Sequence, residues 1–186
     1  MSEDAPARAA RRTDPHRRDR IIDACLEVIA EAGVSGTSHR RVAAAADVPL
    51  GSMTYHFAGM DELLHAAFSR FADSVADQAQ RRMDAAGSPE QARQALVDLV
   101  VHDVLGSHRE LVLTHELYTL AARQPAFRSL THSWMARTRA ALEQHFDPAT
   151  ARMLDALMEG LTIHRALDDE PADDALVEEA VRRILS

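Results

Sequence analysis

The sequence contains no lysine; all 21 basic residues are arginine. With so much alanine, this hints at a GC-rich genome and says nothing of function. The single cysteine, Cys25, cannot form an intramolecular disulfide. It falls on the apolar face of an amphipathic stretch, which marks a buried structural thiol rather than a reactive one. No run approaches the roughly 18 apolar residues of a membrane span. The polar, Arg-rich N-terminus lacks the apolar core of a signal peptide. A cytoplasmic protein is therefore expected. A Gly-rich phosphate loop, a GxSxG elbow and an HExxH pair are all missing, so no enzyme and no cofactor are expected. The ten histidines include no HxxxH pair. His102, His115 and His132 fall on three different predicted helices with no cysteine to join them, and they read as surface or hydrogen-bonded core residues, not metal ligands. Strand-like alternation and internal repeats are absent too.

What is present is helical. The chain has 186 residues, 46% hydrophobic and 27% charged, enough to bury a core in one or two small domains. Its net charge of −8 argues against an indiscriminate nucleic-acid binder. Residues 1–60 balance eight arginines against eight acids, whereas residues 61–186 hold thirteen arginines against twenty-one acids. The acidity thus lies C-terminally, and the N-terminal part can still present a local basic face.

The stretch 38–57, SHRRVAAAADVPLGSMTYHF, reads as two short helices joined by a tight turn. Val42, Ala43 and Ala46 give the first a small apolar face, Asp47-Val48-Pro49 breaks it, and Met53 and Phe57 anchor the second. Thr54, Tyr55 and His56 are left facing outward. This is the helix-turn-helix pattern, whose second helix enters the DNA major groove. Arg40 and Arg41 on the first helix, with Ser52, Thr54, Tyr55 and His56 on the second, are donors suited to phosphates and base edges. One short helix reads only one half-site. A homodimer on a palindromic operator, with half-sites about 34 Å apart, is therefore expected.

Before that stretch, residues 1–15 form a polar Arg-containing arm, expected to be disordered. A helix over about 16–32 carries Ile21, Cys25, Val28, Ile29 and Ala32 as one stripe, closed by Gly33. Ser38 is an N-cap. Ile22, Val28, Val42, Val48 and Phe57 should share a small core. After it come a long helix over about 60–86, a helix over 89–105, one from Ser107 to about 123 with Leu111, His115, Tyr118 and Ala122 on one face, and one from Pro125 to about 145. The last two span about 149–167 and 172–185, separated by Pro171, and Asp168-Asp169-Glu170 reads as a solvated loop between them. The fold class is all-α, with about nine helices.

Residues 17–68 resemble the N-terminal domain of the TetR family of bacterial transcription regulators. The resemblance rests on Ala32-Gly33 ending a helix, Ser38 opening the next with Val42-Ala43, then Val48, Gly51, the run Tyr55-His56-Phe57, and Glu62-Leu63-Leu64 starting a long helix. It implies a DNA-binding head over 16–59 and a helical effector-binding and dimerisation domain over 60–186. It places Tyr55 and His56 on phosphates, Ser38 and Arg40 where the supporting helix faces the backbone, and Pro49, Leu50, Gly51, Ser52 and Thr54 at the bases. Three positions depart from the family pattern: Thr54 for a tyrosine, Met60 for a phosphate-binding lysine, and Asp47 for the turn glycine, where Asp tolerates a left-handed backbone.

The resemblance also implies a repressor released by an unknown small molecule. Candidate residues lining the effector site are Phe68, Phe71, His102, His115, Tyr118, Trp134 and Met135. It implies a dimer interface over 149–185, with Leu154, Leu157, Met158, Leu161, Val177, Val181 and Ile184 as candidates; the same stripes could instead close the monomer core. The alternative function is a helical interaction or ligand-binding protein whose head has lost operator binding.

Overall fold

The computed structural model describes residues 14–169 and 173–186, all helical or loop. The expected N-terminal arm falls almost wholly on residues 1–13, and the break at Pro171 on 170–172, outside the described residues. The chain divides into two compact units, Met1–Ala67 and Phe68–Ser186.

The first unit begins with α1 (Arg17–Ala32). Its predicted stripe is buried up to Ile29, with Ile21, Cys25 and Ile29 fully enclosed, while Ala32 is half-buried. Burial pushes the Cys25 thiol up to about 12, as expected of a structural cysteine. Gly33 ends α1 at φ 67°, and its N–H donates to the Ile29 carbonyl at 2.8 Å. Helix α2 (His39–Ala45) is capped by Ser38, whose hydroxyl accepts from the Arg41 N–H at 3.3 Å. Asp47 turns the chain at φ 50°, the only non-glycine with positive φ among the described residues, and α3 (Gly51–His56) follows. Met53 and Phe57 plug the core with Val42 and Ile22, while Val48 is half-buried. The Arg18 guanidinium lies 5.0 Å above the Phe57 ring, a cation–π contact that covers the core's edge.

Helix α4 (Met60–Asp84) starts in this unit and continues into the second. Leu63, Leu64 and Ala67 of its first turns are buried, and the Glu62 carboxylate accepts the Ala58 N–H at 2.6 Å, fixing the helix start.

The second unit adds α5 (Pro89–Asp98), a π-helical segment (Leu99–Val104), α6 (His108–Arg123), α7 (Pro125–Leu142), α8 (Pro148–Leu167) and α9 (Asp174–Ile184). Ser88, Ser107, Asp147 and Asp173 each cap the helix they precede, and Pro89, Pro125 and Pro148 occupy first turns, where a missing N–H costs nothing. Leu96, Leu99, Val100, Ala141, Leu142, Leu154 and Val181 form the centre of its core.

Two features differ from expectation. The predicted helix over 89–105 is not α throughout; its last six residues widen to π, closed by the Leu105 N–H on the Val100 carbonyl at 2.9 Å. At its end Gly106 approaches so closely that an added Cβ would lie 2.2 Å from the His102 carbonyl oxygen. Second, the inner face of α6 is carried by Leu113, Leu117 and Ala121, with Leu111 and Thr114 beside them, and Ala122 is exposed. No helix among the described residues is long and apolar enough to cross a membrane.

Candidate functional site

The outer surface of the first unit is built around α3. Six residues long, it hides Met53 and presents Leu50 at 56% and Tyr55 at 83% exposure. So much uncovered apolar and aromatic surface on one short helix and its cap has no role within the unit. Tyr55 packs edge-on against His56, centroids 4.9 Å apart, so the two rings present one surface. Thr54 is exposed, with its hydroxyl donating back to the Gly51 carbonyl at 3.2 Å. Pro49 and Gly51 are exposed at the turn, and Ser38, Arg40 and Arg41 are exposed on α2 and its cap. The Arg41 guanidinium is held on the Gly36 carbonyl at 2.8 Å.

Ser52 is the exception. It was expected among the base-reading residues, but it is only 9% exposed, because it neighbours Met53 on the face of α3 that packs inward. Arg17 and Arg20 were not singled out from the sequence. With Asp47, Val48 and Pro49 they line a surface recess, Arg20 paired to Asp14, so α1 brings two guanidinium groups beside the turn. The i, i+3 spacing of the two arginines on α1 was the available signal.

The second unit holds a pocket with a cavity volume of about 50 Å³. Phe71, Val75 and Ala79 of α4 form one wall, and Trp134 and Met135 of α7 another. Trp134 meets Phe71 edge-on at 5.9 Å and stacks on Tyr118 of α6 at 5.8 Å and 26°. The Tyr118 hydroxyl donates to the Glu159 carboxylate of α8 at 2.5 Å. Four carboxylates line this otherwise apolar space: Asp103, Glu110, Asp155 and Glu159. Asp103 receives two hydrogen bonds from Arg82, the Nη2 one at 2.8 Å, and Asp155 one from Arg139 at 2.8 Å.

Burial raises the pKa of Glu159; the Tyr118 hydrogen bond opposes it without winning, and Asp155 adds to the rise. Glu110 is raised by burial first, Arg109 opposing and Asp103 reinforcing. Asp155 is raised by burial despite Arg139. Tyr118 is pushed far up by burial and by Glu159. Burial thus disfavours the ionised form of these carboxylates next to aromatic faces, a penalty that a bound cation would offset.

Of the residues expected here, Phe71, Tyr118, Trp134 and Met135 line the pocket and Phe68, His102 and His115 do not. Phe68 is fully buried, edge-on to Phe127 at 6.2 Å. His115 turns its Nδ1 to the Leu111 carbonyl at 2.7 Å. His102 is exposed because the π segment turns Asp103, not its neighbour, toward the space. Among the described residues, no three His, Cys, Asp or Glu side chains gather as a metal would require. The missed signal was polar residues in apolar register: Thr114, Thr138, Asp155 and Thr162 are all buried and all line the pocket.

Four of the seven expected dimer residues lie within the unit's own core. Leu154, Met158, Val177 and Val181 are buried in the unit's own core, and Leu157, Leu161 and Ile184 pack against it. The exposed apolar side chains of α8 and α9 are Met153, Ile163, Leu167 and Leu176. Helical periodicity marks a stripe without saying which of two neighbours covers it.

Comparison with known proteins agrees with both halves of this geometry. Residues 21–67 match the bacterial regulatory proteins of the tetR family, and residues 88–186 match a Tetracyclin repressor-like C-terminal domain. The chain is 31% identical to the HTH-type transcriptional regulator BetI of Burkholderia thailandensis over 84% of this chain and 85% of that protein. The crystal structure of the transcriptional regulator SCO7518 from Streptomyces coelicolor A3(2) superposes with a TM-score of 0.83 at 57% identity, covering 91% of this chain and 98% of that one. The multidrug binding protein EbrR, complexed with ethidium, gives a TM-score of 0.75 at 38% identity, covering 90% and 98%. A capped helix-turn-helix head, an all-helical second unit and matches along almost the whole described chain lead to one assignment: this protein belongs to the TetR family of bacterial transcription regulators.

Proposed function

We propose that the chain is a homodimeric repressor whose pocket takes a lipophilic cation and whose DNA affinity falls when that cation binds. The carrying observation is the aromatic box of Phe71, Trp134 and Tyr118 closing on the half-buried Glu159 carboxylate. Aromatic faces and a desolvated carboxylate attract a cation and offer little to an anion. EbrR supports this reading, because it is described in complexes with ethidium, malachite green and proflavin, all aromatic organic cations.

On the DNA side, Tyr55, His56, Arg40 and Ser38 serve the phosphates, with Arg17 and Arg20 added from the recess beside the turn. Pro49, Leu50, Gly51 and Thr54 face the bases, and Ser52 supports them from within. Two heads are needed for an operator of two half-sites. The exposed Met153, Ile163, Leu167 and Leu176 supply the apolar surface through which two copies join. Release is then linkage: a ligand that prefers the non-binding spacing of the two heads lowers their DNA affinity by its differential affinity for that state.

Selection of bound duplexes from a random library tests the DNA half. It should return a palindrome with half-sites about one helical turn apart, bound with steep salt dependence. Tetraphenylphosphonium, a cation that does not intercalate, should then release the operator. Failure to recover a motif would reject the repressor, and release by an aromatic anion in place of the cation would reject the pocket assignment.

A further inference from the structure

The cavity is too small for an aromatic cation as it stands. It measures about 50 Å³, several-fold below the roughly 300 Å³ at which sites for drug-sized ligands begin. A cation of ethidium's size therefore enters only when a wall withdraws. Of the three aromatic walls, Phe71 and Trp134 are both buried, so moving either one opens the core. Tyr118 is half-buried. A side chain that borders solvent changes rotamer without unpacking a core.

Tyr118 also makes, within the free protein, the two contacts that an aromatic cation would make there. Its ring stacks on Trp134, centroids 5.8 Å apart and planes at 26°. Its hydroxyl donates to the Glu159 carboxylate at 2.5 Å. The best aromatic face and the nearest carboxylate are thus already taken by a wall of the cavity itself. Two hydroxyls beside this stack are not taken. Thr114 lies one turn before Tyr118 on α6, and Thr138 one turn after Trp134 on α7; both are buried and line the cavity. The other buried threonines, Thr131 and Thr162, return their hydroxyls to the Arg128 and Met158 carbonyls. Among the described residues, Thr114 and Thr138 have no such partner. Buried hydroxyls left in this state favour a guest that brings hydrogen-bonding groups of its own.

We infer that Tyr118 occupies the effector's seat and is displaced by it: the effector takes over the Trp134 face and the Glu159 carboxylate as Tyr118 swings out. This rests on the cation-pocket reading above and adds the residue that selects among effectors. A guest must replace both contacts of Tyr118 to remove it. A cation without an aromatic face restores only the partner of Glu159, and a neutral aromatic restores only the stack. The affinity of every guest is lowered by the fraction of molecules in which Tyr118 still fills the seat.

The test titrates the full-length protein with ethidium, followed by the dye's own fluorescence, and mixes the two in stopped flow. Tyr118→Phe keeps the ring and its packing but gives up the bond to Glu159. It should bind ethidium about tenfold more tightly than the wild type. The occupied states of the two proteins are alike, so the gain should lie in a faster association rate with the dissociation rate unchanged. Tyr118→Ala, which vacates the seat altogether, should bind at least as tightly as Tyr118→Phe, and circular dichroism shows that both variants are folded. Unchanged or weaker binding by Tyr118→Phe, or a gain confined to slower dissociation, would make Tyr118 a fixed wall and overturn the inference while leaving the cation pocket intact. Failure of the wild type and both variants to bind either ethidium or tetraphenylphosphonium would remove both.

Discussion

Replacing Glu159 by Gln separates charge from shape in the pocket. The amide keeps the side chain's size and can still accept the Tyr118 hydroxyl bond, which measures 2.5 Å in the wild type. What is lost is the negative charge next to the Trp134–Tyr118 stack. At about 4 Å and an effective dielectric near 20, a cation and this carboxylate attract by about 4 kcal/mol. Part of that is offset, because burial already disfavours the ionised form. A net loss of about 2 kcal/mol, roughly thirtyfold in Kd, is expected for ethidium.

The pH dependence gives an independent check on the same variant. An acid whose pKa is raised on folding stabilises the fold most below the ordinary glutamate value of 4.5. That contribution is lost as pH rises through the higher folded-state value. Glu159→Gln cannot ionise, so it should match the wild type in acid and exceed it in urea resistance near neutrality. A cation prefers the ionised carboxylate, so wild-type affinity should climb over the same window with release of a proton. The variant should show a shallower climb, with Asp155 and Glu110, also raised, supplying what remains. Ethidium titrations and urea unfolding, each at an acidic and a mildly alkaline pH, measure all of this. Wild-type affinity together with a wild-type pH slope would show that the ligand does not meet Glu159.

Arg139→Ala should destabilise the second unit by about 3 kcal/mol near neutrality by stranding Asp155. The loss should shrink in acid as Asp155 takes up a proton, and a pH-independent loss would mean that Arg139 acts through packing alone. Tyr55→Ala and His56→Ala should each weaken operator binding about tenfold, with the melting temperature held within about 2 °C. Wild-type binding by both variants would misplace the recognition helix. Asp47→Val should cost about 2 kcal/mol because a β-branched residue cannot sit comfortably at φ 50°, whereas Asp47→Gly should be tolerated; equal melting temperatures would contradict the strain. Leu167→Glu, at a position 76% exposed, should leave the subunit folded and shift sedimentation to the monomer. A folded dimer would place the interface elsewhere.

The head was legible from sequence because its determinants are local. A serine cap, an Asp in place of the turn glycine and a Met53–Phe57 plug each act within a few residues of where they stand. All three occur as read, with Asp47 in the left-handed conformation its side chain tolerates. Ser52 escaped because α3 is only six residues long, too short for the pattern to separate a flank from a face. Helix starts in the second unit were legible for the same reason as the head, through Ser107, which caps α6, and Pro125, which opens α7.

The pocket was only half legible, and the missing half is the chemistry. Aromatic residues at helical spacing announced Phe71, Tyr118 and Trp134, but the same logic sends Asp103, Glu110, Asp155 and Glu159 to the surface, because carboxylates are rarely buried. Two circumstances hid them. The π segment breaks the 3.6-residue register, so that Asp103 turns inward and His102 outward, contrary to the count along a regular helix. On α8, Asp155 and Thr162 occupy the inner stripe with Leu154 and Met158, a violation of patterning that a purely structural core would not keep. Buried polar residues mark a surface that can meet a ligand, and four of the six buried among the described residues, Thr114, Thr138, Asp155 and Thr162, fall on one cavity. That same stripe explains why Leu154 and Met158 read as dimer candidates from the sequence. Once Leu154 and Met158 serve the subunit's own core and the pocket wall, the opposite flank of α8, with Met153, Ile163 and Leu167, remains uncovered. α8 thus carries Glu159 as well as the exposed Ile163 and Leu167 of the proposed joining surface, so a cation drawn to Glu159 would act on the element proposed to join two copies.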